Sequence, residues 1–147
     1  MSNPILSSGS SVWNVDKTFQ SKFGEAHQLV DDVLAQMTAQ GWSDRDVFAV
    51  NMALEESISN AIEHGNHGNP QRHFRVTCCV APNLVNISVH DEGKGFERKL
   101  VPNPTEDENL ENPSGRGVLL IHGFMTRVWY NDAGNVIYME KEPSDPS

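Results

Sequence analysis

Over residues 23–40 the apolar positions fall at Ala26, Leu29, Val30, Val33, Leu34 and Met37, the three-and-four spacing of a helix with one buried stripe. Gly41 predicts its end. Ser43, followed three residues later by Asp46, predicts the capped start of a second helix that runs to about His64, with Gly65 as its C-cap. Wound at about 100° per residue, this helix gathers Val47, Val50, Leu54, Ile58, Ala61 and Ile62 on one stripe and sets Glu56, Asn60 and His64 in a row on the far side. Ahead of both helices, Val12, Trp13, Val15 and Phe19 suggest a strand whose register the pattern leaves open. Behind them, residues 74–80 and 84–90 read as strands around the turn residues Ala81-Pro82-Asn83. Residues 127–130 and 136–139 form a second hairpin around Asp132-Ala133-Gly134. Between the two hairpins, residues 96–114 are rich in Pro, Asn, Glu and Asp and predict no regular structure, while residues 118–125 have the apolar density of a short helix.

This alternation gives an α/β chain without internal repeats, and 147 residues suit one domain that buries roughly 68–70% of its unfolded surface. We place the domain at residues 12–141, with flexible tails at 1–11 and 142–147. The formal charge is −9, and with no lysine- or arginine-rich run a phosphate backbone would meet net repulsion, which argues against nucleic acid as the main partner. No apolar run approaches the ~20 residues of a membrane helix, and the first residues carry neither a basic region nor an apolar stretch, so a cytoplasmic protein is expected. Cys78 and Cys79 are neighbours in a strand and point to opposite faces, so they read as packed thiols rather than a disulfide.

Chemistry concentrates in three ordered stretches. On the second helix, Glu56 and Asn60 are four residues apart, about 5–6 Å on a helix surface, so a carboxylate and a carboxamide can address one ligand together. The plain alternative is a solvated helix face. Asp91-Glu92-Gly93-Lys94-Gly95 follows a strand; it could be an ordinary surface turn, or an acceptor carboxylate for the exocyclic amine of adenine beside glycines that let the backbone lie against base and sugar. Ser114-Gly115-Arg116-Gly117 reads either as an ordinary helix start or as an anion site, made by bare N–H groups and the dipole, with Ser114 as N-cap and Arg116 as an added cation. Residues 96–114 run between the two glycine stretches, where a lid over bound nucleotide would lie. Lys94, Arg98, Lys99 and Arg116 at its ends would offset the acidic field around a polyphosphate.

Together these stretches resemble the N box and the two glycine boxes of the Bergerat-fold (GHKL) ATPases. Within that superfamily, the run Leu54-Glu55-Glu56-Ser57-Ile58-Ser59-Asn60-Ala61-Ile62-Glu63-His64-Gly65, the domain length and the closing hairpin resemble the bacterial anti-sigma-factor serine/threonine kinases. The resemblance covers about residues 12–141. It implies a two-layer α/β sandwich, a mixed sheet with helices on one face. It implies that Glu56 is a general base, that Asn60 is a Mg²⁺ ligand, that Asp91 binds adenine with Gly93 and Gly95 lining the base, and that Gly115 to Gly117 meet the phosphates of ATP. His64 would either approach those phosphates or simply sit against the helix dipole. The implied partners are an anti-anti-sigma protein of the STAS type and a sigma factor, with homodimerisation left open. One departure is Asn112-Pro113, where these kinases often carry a charge just before the second glycine box. Two other classes stand beside this reading. One is a module whose surface is shaped by nucleotide without turnover. The other is a metal protein using His64, His67, His73, Cys78 and Cys79, whose spacings match no standard zinc arrangement.

Overall fold

The computed structural model describes residues 12–93 and 121–144. Its elements are strand β1 (Trp13–Gln20), a 3₁₀ turn (Phe23–Ala26), helix α1 (His27–Ala39), helix α2 (Asp44–Asn60) extended by a π turn (Ala61–Gly65), and strands β2 (His73–Ala81), β3 (Leu84–His90), β4 (Arg127–Tyr130) and β5 (Val136–Lys141). A helical turn occupies residues 121–124. The strands form one sheet in the order β1-β2-β3-β5-β4.

The expected sandwich is present, with one correction to its sheet. Instead of a mixed sheet, all four ladders among the described residues are antiparallel. The reason is a parity of crossings. Two helices lie between β1 and β2, so the chain returns to the end of the sheet where β1 finished and must run back alongside it. The register that the pattern left open pairs Trp13 with Val80 and Phe19 with Phe74, whose rings stack at 5.3 Å.

Alternation along the strands separates two faces. Phe74, Val76, Cys78 and Val80 of β2, Val85, Ile87 and Val89 of β3, and Ile137 and Met139 of β5 are buried with Leu29, Val33 and Met37 of α1 and Val50, Leu54 and Ile58 of α2. Both helical stripes therefore face one side of the sheet. Cys79 falls on the other side, opposite to its buried neighbour Cys78, so the two thiols cannot converge on one ion or on each other.

The helix ends show how local chemistry sets these elements. Helix α1 closes with Gly41 at φ 92°, where Trp42 N–H donates to Met37 O at 3.0 Å and Gly41 N–H to Thr38 O at 3.1 Å. That double closure is a Schellman motif, and its apolar partners Met37 and Trp42 are both buried. Helix α2 starts as expected, with the Ser43 hydroxyl accepting from Asp46 N–H at 3.2 Å.

Asp46 itself is only 2% exposed. Ser144 donates to its carboxylate from the backbone N–H at 2.9 Å and from the hydroxyl, and Lys141 Nζ lies 3.6 Å away. Burial opposes the charge, but Ser144, Lys141 and Ser43 together outweigh it and hold the carboxyl below its ordinary range. Two residues expected in a closing tail are therefore tied down, since Glu142 N–H also donates to Thr126 Oγ1 at 2.9 Å. No helix among the described residues is long and apolar enough to cross a membrane.

Candidate nucleotide site

The two-helix crossover has a functional consequence. Because Gln20 pairs with His73, Arg75 with His90, and His90 with Val136, the end of β1, the start of β2, the end of β3 and the start of β5 meet at one end of the sheet. The π turn delivers the end of α2 to the same place. Asp91 leaves β3 there, its N–H donating to Asn135 O at 3.0 Å.

Gly65 was expected as the C-cap of α2, and this is corrected: Gly65 is the last residue of the π turn and Asn66 is the cap. The left-handed residues are His67 (φ 53°) and Gly68 (φ 69°), and the last turn is a π turn closed by Asn66 N–H to Ala61 O at 2.8 Å. Such turns recur at functional sites. What Gly65 supplies is space: a Cβ there would lie 2.6 Å from Asp91 Oδ1 and nearer to the rest of the carboxylate. Gly93 answers to the same crowding, since its Cβ would overlap the Gly65 carbonyl and lie 2.9 Å from Asp91 Oδ1. Two glycines thus enclose one carboxylate.

Asp91 Oδ1 accepts from Gly93 N–H at 2.8 Å, and no hydrogen bond to Oδ2 occurs among the described residues. Burial pushes the Asp91 carboxyl above its ordinary range, against the pull of the Gly93 N–H, Arg72 and His67. An acceptor with one oxygen fixed and the other uncommitted suits the exocyclic amine of a base.

One helical turn and two turns back, Asn60 and Glu56 are half-buried and make no side-chain hydrogen bond among the described residues. Their neighbours do: Ser57 Oγ donates to Leu54 O at 3.1 Å and Ser59 Oγ to Glu63 Oε2 at 2.8 Å. The two oxygen-bearing groups are therefore available to a ligand, and oxygen is the donor type that Mg²⁺ accepts. Burial, then the charge of Glu63, raises the Glu56 carboxyl above its ordinary value, with His64 pulling the other way. His64 is exposed. Gly95, Ser114, Gly115, Arg116 and Gly117, and the lid expected at residues 96–114, lie outside the described residues. Among those described, no three His, Cys, Asp or Glu side chains are grouped to hold a metal by themselves.

Several supports of this site carry no sequence signature. Asn66 joins three segments, Glu92 Oε2 accepts from His73 N–H at 2.5 Å, and Asn131 Oδ1 accepts from the N–H groups of Asn135 and Val136 at 3.0 Å each. Asn135 Nδ2 reaches Gly93 O at 3.5 Å. The turn between β4 and β5 thus backs the first glycine box.

A helix layer on an antiparallel sheet, with a glycine-flanked acid at a strand exit beside a helix bearing a free carboxylate and carboxamide, defines the fold of a nucleotide-binding ATPase domain. Residues 19–141 match the family described as histidine kinase-like ATPase domain, and the chain belongs to that family. It is similar to an anti-sigma F factor of Oceanobacillus iheyensis, 30% identical over 101 residues that span 65% of this chain and 68% of that protein. A serine-protein kinase RsbW of the same organism is 24% identical over 118 residues, 72% of this chain and 75% of the relative. Among solved structures, the RsbU and RsbW domains of Rv1364c from Mycobacterium tuberculosis superpose with a TM-score of 0.61 at 16% identity. That match covers 92% of this chain and 34% of the other, and it shows a shared fold.

Proposed function

We propose that this chain binds Mg-ATP and phosphorylates serine or threonine on a small anti-anti-sigma protein of the STAS type, with a sigma factor as its other client. The observation that carries the reading is the enclosure of Asp91 by Gly65 and Gly93 at the end of a helix that presents Glu56 and Asn60. The names of the relatives, anti-sigma F factor and serine-protein kinase, support it.

In this reading Asp91 Oδ2 accepts the adenine amine while Oδ1 stays on Gly93 N–H. The Asn60 carboxamide oxygen would hold magnesium, for which one or two protein oxygens suffice when phosphates and water complete the shell. Bound there, the ion supplies neutralising charge to the phosphate oxygens. Glu56 takes the proton of the substrate hydroxyl as its oxygen bonds to the γ-phosphorus and the bond from that phosphorus to the β,γ-bridging oxygen breaks, so that ADP leaves; its raised pKa brings it nearer to the working pH of a general base.

Incubating the purified chain with Mg-ATP and STAS-type proteins encoded beside it, and scoring phosphoserine and phosphothreonine, tests the whole reading. Transfer that disappears in Glu56→Gln is the expected result. Binding of nucleotide with no transfer to any such partner would identify a non-catalytic module instead. A melting temperature unmoved by saturating Mg-ATP or Mg-ADP would overturn the reading, because a ligand at ~100 times its dissociation constant adds about 2.7 kcal/mol to the native state.

A further inference from the structure

We infer that Asn66, a residue outside the three motifs, is the positioning residue that sets the first glycine box on the helix end and so aims Asp91 at the nucleobase; this rests on the nucleotide reading above. Asn66 is 0% exposed. Its Oδ1 accepts from Glu92 N–H at 2.8 Å, and its Nδ2 donates to Ser21 Oγ at 2.8 Å and to His73 O at 2.9 Å. Ser21 Oγ in turn donates to Arg72 O at 2.9 Å. One carboxamide thus ties together the exit of β1, the entry of β2 and the exit of β3.

The geometry transmits this anchorage to the site. The Asn66 backbone is fixed by its own N–H on Ala61 O, so the residue before it, Gly65, is held where it is. The Asn66 side chain fixes Glu92, the residue after Asp91. Asp91 and Gly65 are in the contact that only glycine permits, and Asn66 holds both flanks of that contact. The chemistry also selects the residue type. One side of the site presents an N–H and the other a carbonyl oxygen and a hydroxyl, which a carboxamide matches with one acceptor and two donors. Aspartate would set a carboxylate against the His73 carbonyl, and alanine would leave the Glu92 N–H without its partner at a part-buried site.

The test is base discrimination, which a merely structural plug would not move. ITP carries an oxygen where ATP carries the amine, so the ratio of their dissociation constants reports the Asp91 contact. Calorimetry on the full chain should show wild type preferring ATP by about 10–150-fold, the range of one hydrogen bond to a charged group. Asn66→Ala should bring this ratio close to one, chiefly through weaker ATP binding, and should add no further loss to Asp91→Asn. If Asn66→Ala does not fold, Ser21→Ala removes one partner of the carboxamide and should lower the ratio several-fold. A folded Asn66→Ala that keeps the wild-type ratio, or that loses ATP and ITP equally, overturns the inference, as does an unchanged ratio in Ser21→Ala when that variant stands in. A wild type that binds neither nucleotide overturns the nucleotide reading itself, and the inference with it.

Discussion

Replacing Gly65 by alanine puts a methyl group where the Asp91 carboxylate lies. The new Cβ would be 2.6 Å from Oδ1 and closer to the other carboxylate atoms, against an ordinary carbon–oxygen contact of about 3.3–3.6 Å. The carboxylate must move by about 1 Å. It can, because it is the end of a side chain, at a rotamer cost of about 0.5–1.5 kcal/mol. The backbone does not object, since the left-handed glycines among the described residues are Gly41, Gly68 and Gly134, and alanine in a helical turn recovers up to about 1 kcal/mol over glycine. Stability should therefore stay within about 1 kcal/mol of wild type. Affinity should not: losing a hydrogen bond to a charged group costs about 1.5–3 kcal/mol, or about 10–150-fold in the dissociation constant for Mg-ATP. Gly93→Ala should behave differently, because its Cβ meets the Gly65 main-chain carbonyl, which cannot swing away; overpacking of this kind typically costs about 1–3 kcal/mol of stability in addition to binding. Gly24→Ala, with nothing within 4 Å of its Cβ, is the control for both. Urea denaturation and calorimetry on the four proteins separate these effects. A Gly65→Ala protein that binds ATP within threefold of wild type would refute the reasoning, because the contact between the two residues would then have no bearing on the base.

Binding and chemistry should separate along α2. Glu56→Gln keeps its shape but cannot take a proton, so single-turnover transfer should fall ~10²–10⁴-fold with nucleotide affinity nearly unchanged, whereas Asn60→Ala should weaken only the magnesium-dependent part of binding; equal affinity losses in both would show a structural face. Because Glu56 must be ionised to act and burial with the Glu63 charge raises its pKa, the acidic limb of the rate profile should lie above the ordinary glutamate range near 4.3, and Glu63→Gln should move it down. A limb that stays put in Glu63→Gln would remove Glu63 from the account. For Asp46 the folded pKa is depressed, so its contribution to stability is present above the unfolded value near 3.9 and is lost as pH falls through the folded one. Ser144→Ala should thus cost about 1–3 kcal/mol at neutral pH, with the deficit shrinking in acid; equal urea midpoints at pH 7 would contradict this.

The periodic parts of the chain were legible because burial itself is periodic. Leu29, Val33 and Met37, and then Val50, Leu54 and Ile58, are buried on the stripes their spacing drew, and β3 spans Leu84–His90 as the alternation indicated. Gly65 misled for a physical reason: a glycine can be selected for φ or for the missing Cβ, and the letter is the same in both cases. Here the demand comes from Asp91, 26 residues on, which no local pattern can register. Asn66, Asn131 and Asn135 are harder still, because an asparagine in a turn reads as an ordinary loop residue until the fold brings the backbone and side-chain groups of other segments to its carboxamide. Residues 23–26 were read as helix and form a tighter 3₁₀ turn, a difference of one hydrogen-bond register that the apolar spacing hardly feels.

The clasp on Asp46 gives the chain a clock. Asp46 and Ser144 are 98 residues apart, and at a synthesis rate of ~5–20 residues per second the carboxylate waits about 5–20 s for its partner to be made. During that interval α2 can wind and β1 to β3 can pair, so the end of the helix that bears Glu56 and Asn60 takes shape first. Its other end, about 20 Å away along the axis, still carries a charge with no counterpart from Ser144. A nascent chain released just short of Ser144 would hold every strand of the sheet and the whole first glycine box, yet its weakness would lie at the far end of the helix. Such a product would betray its incompleteness through a lowered melting temperature while still recognising its ligand.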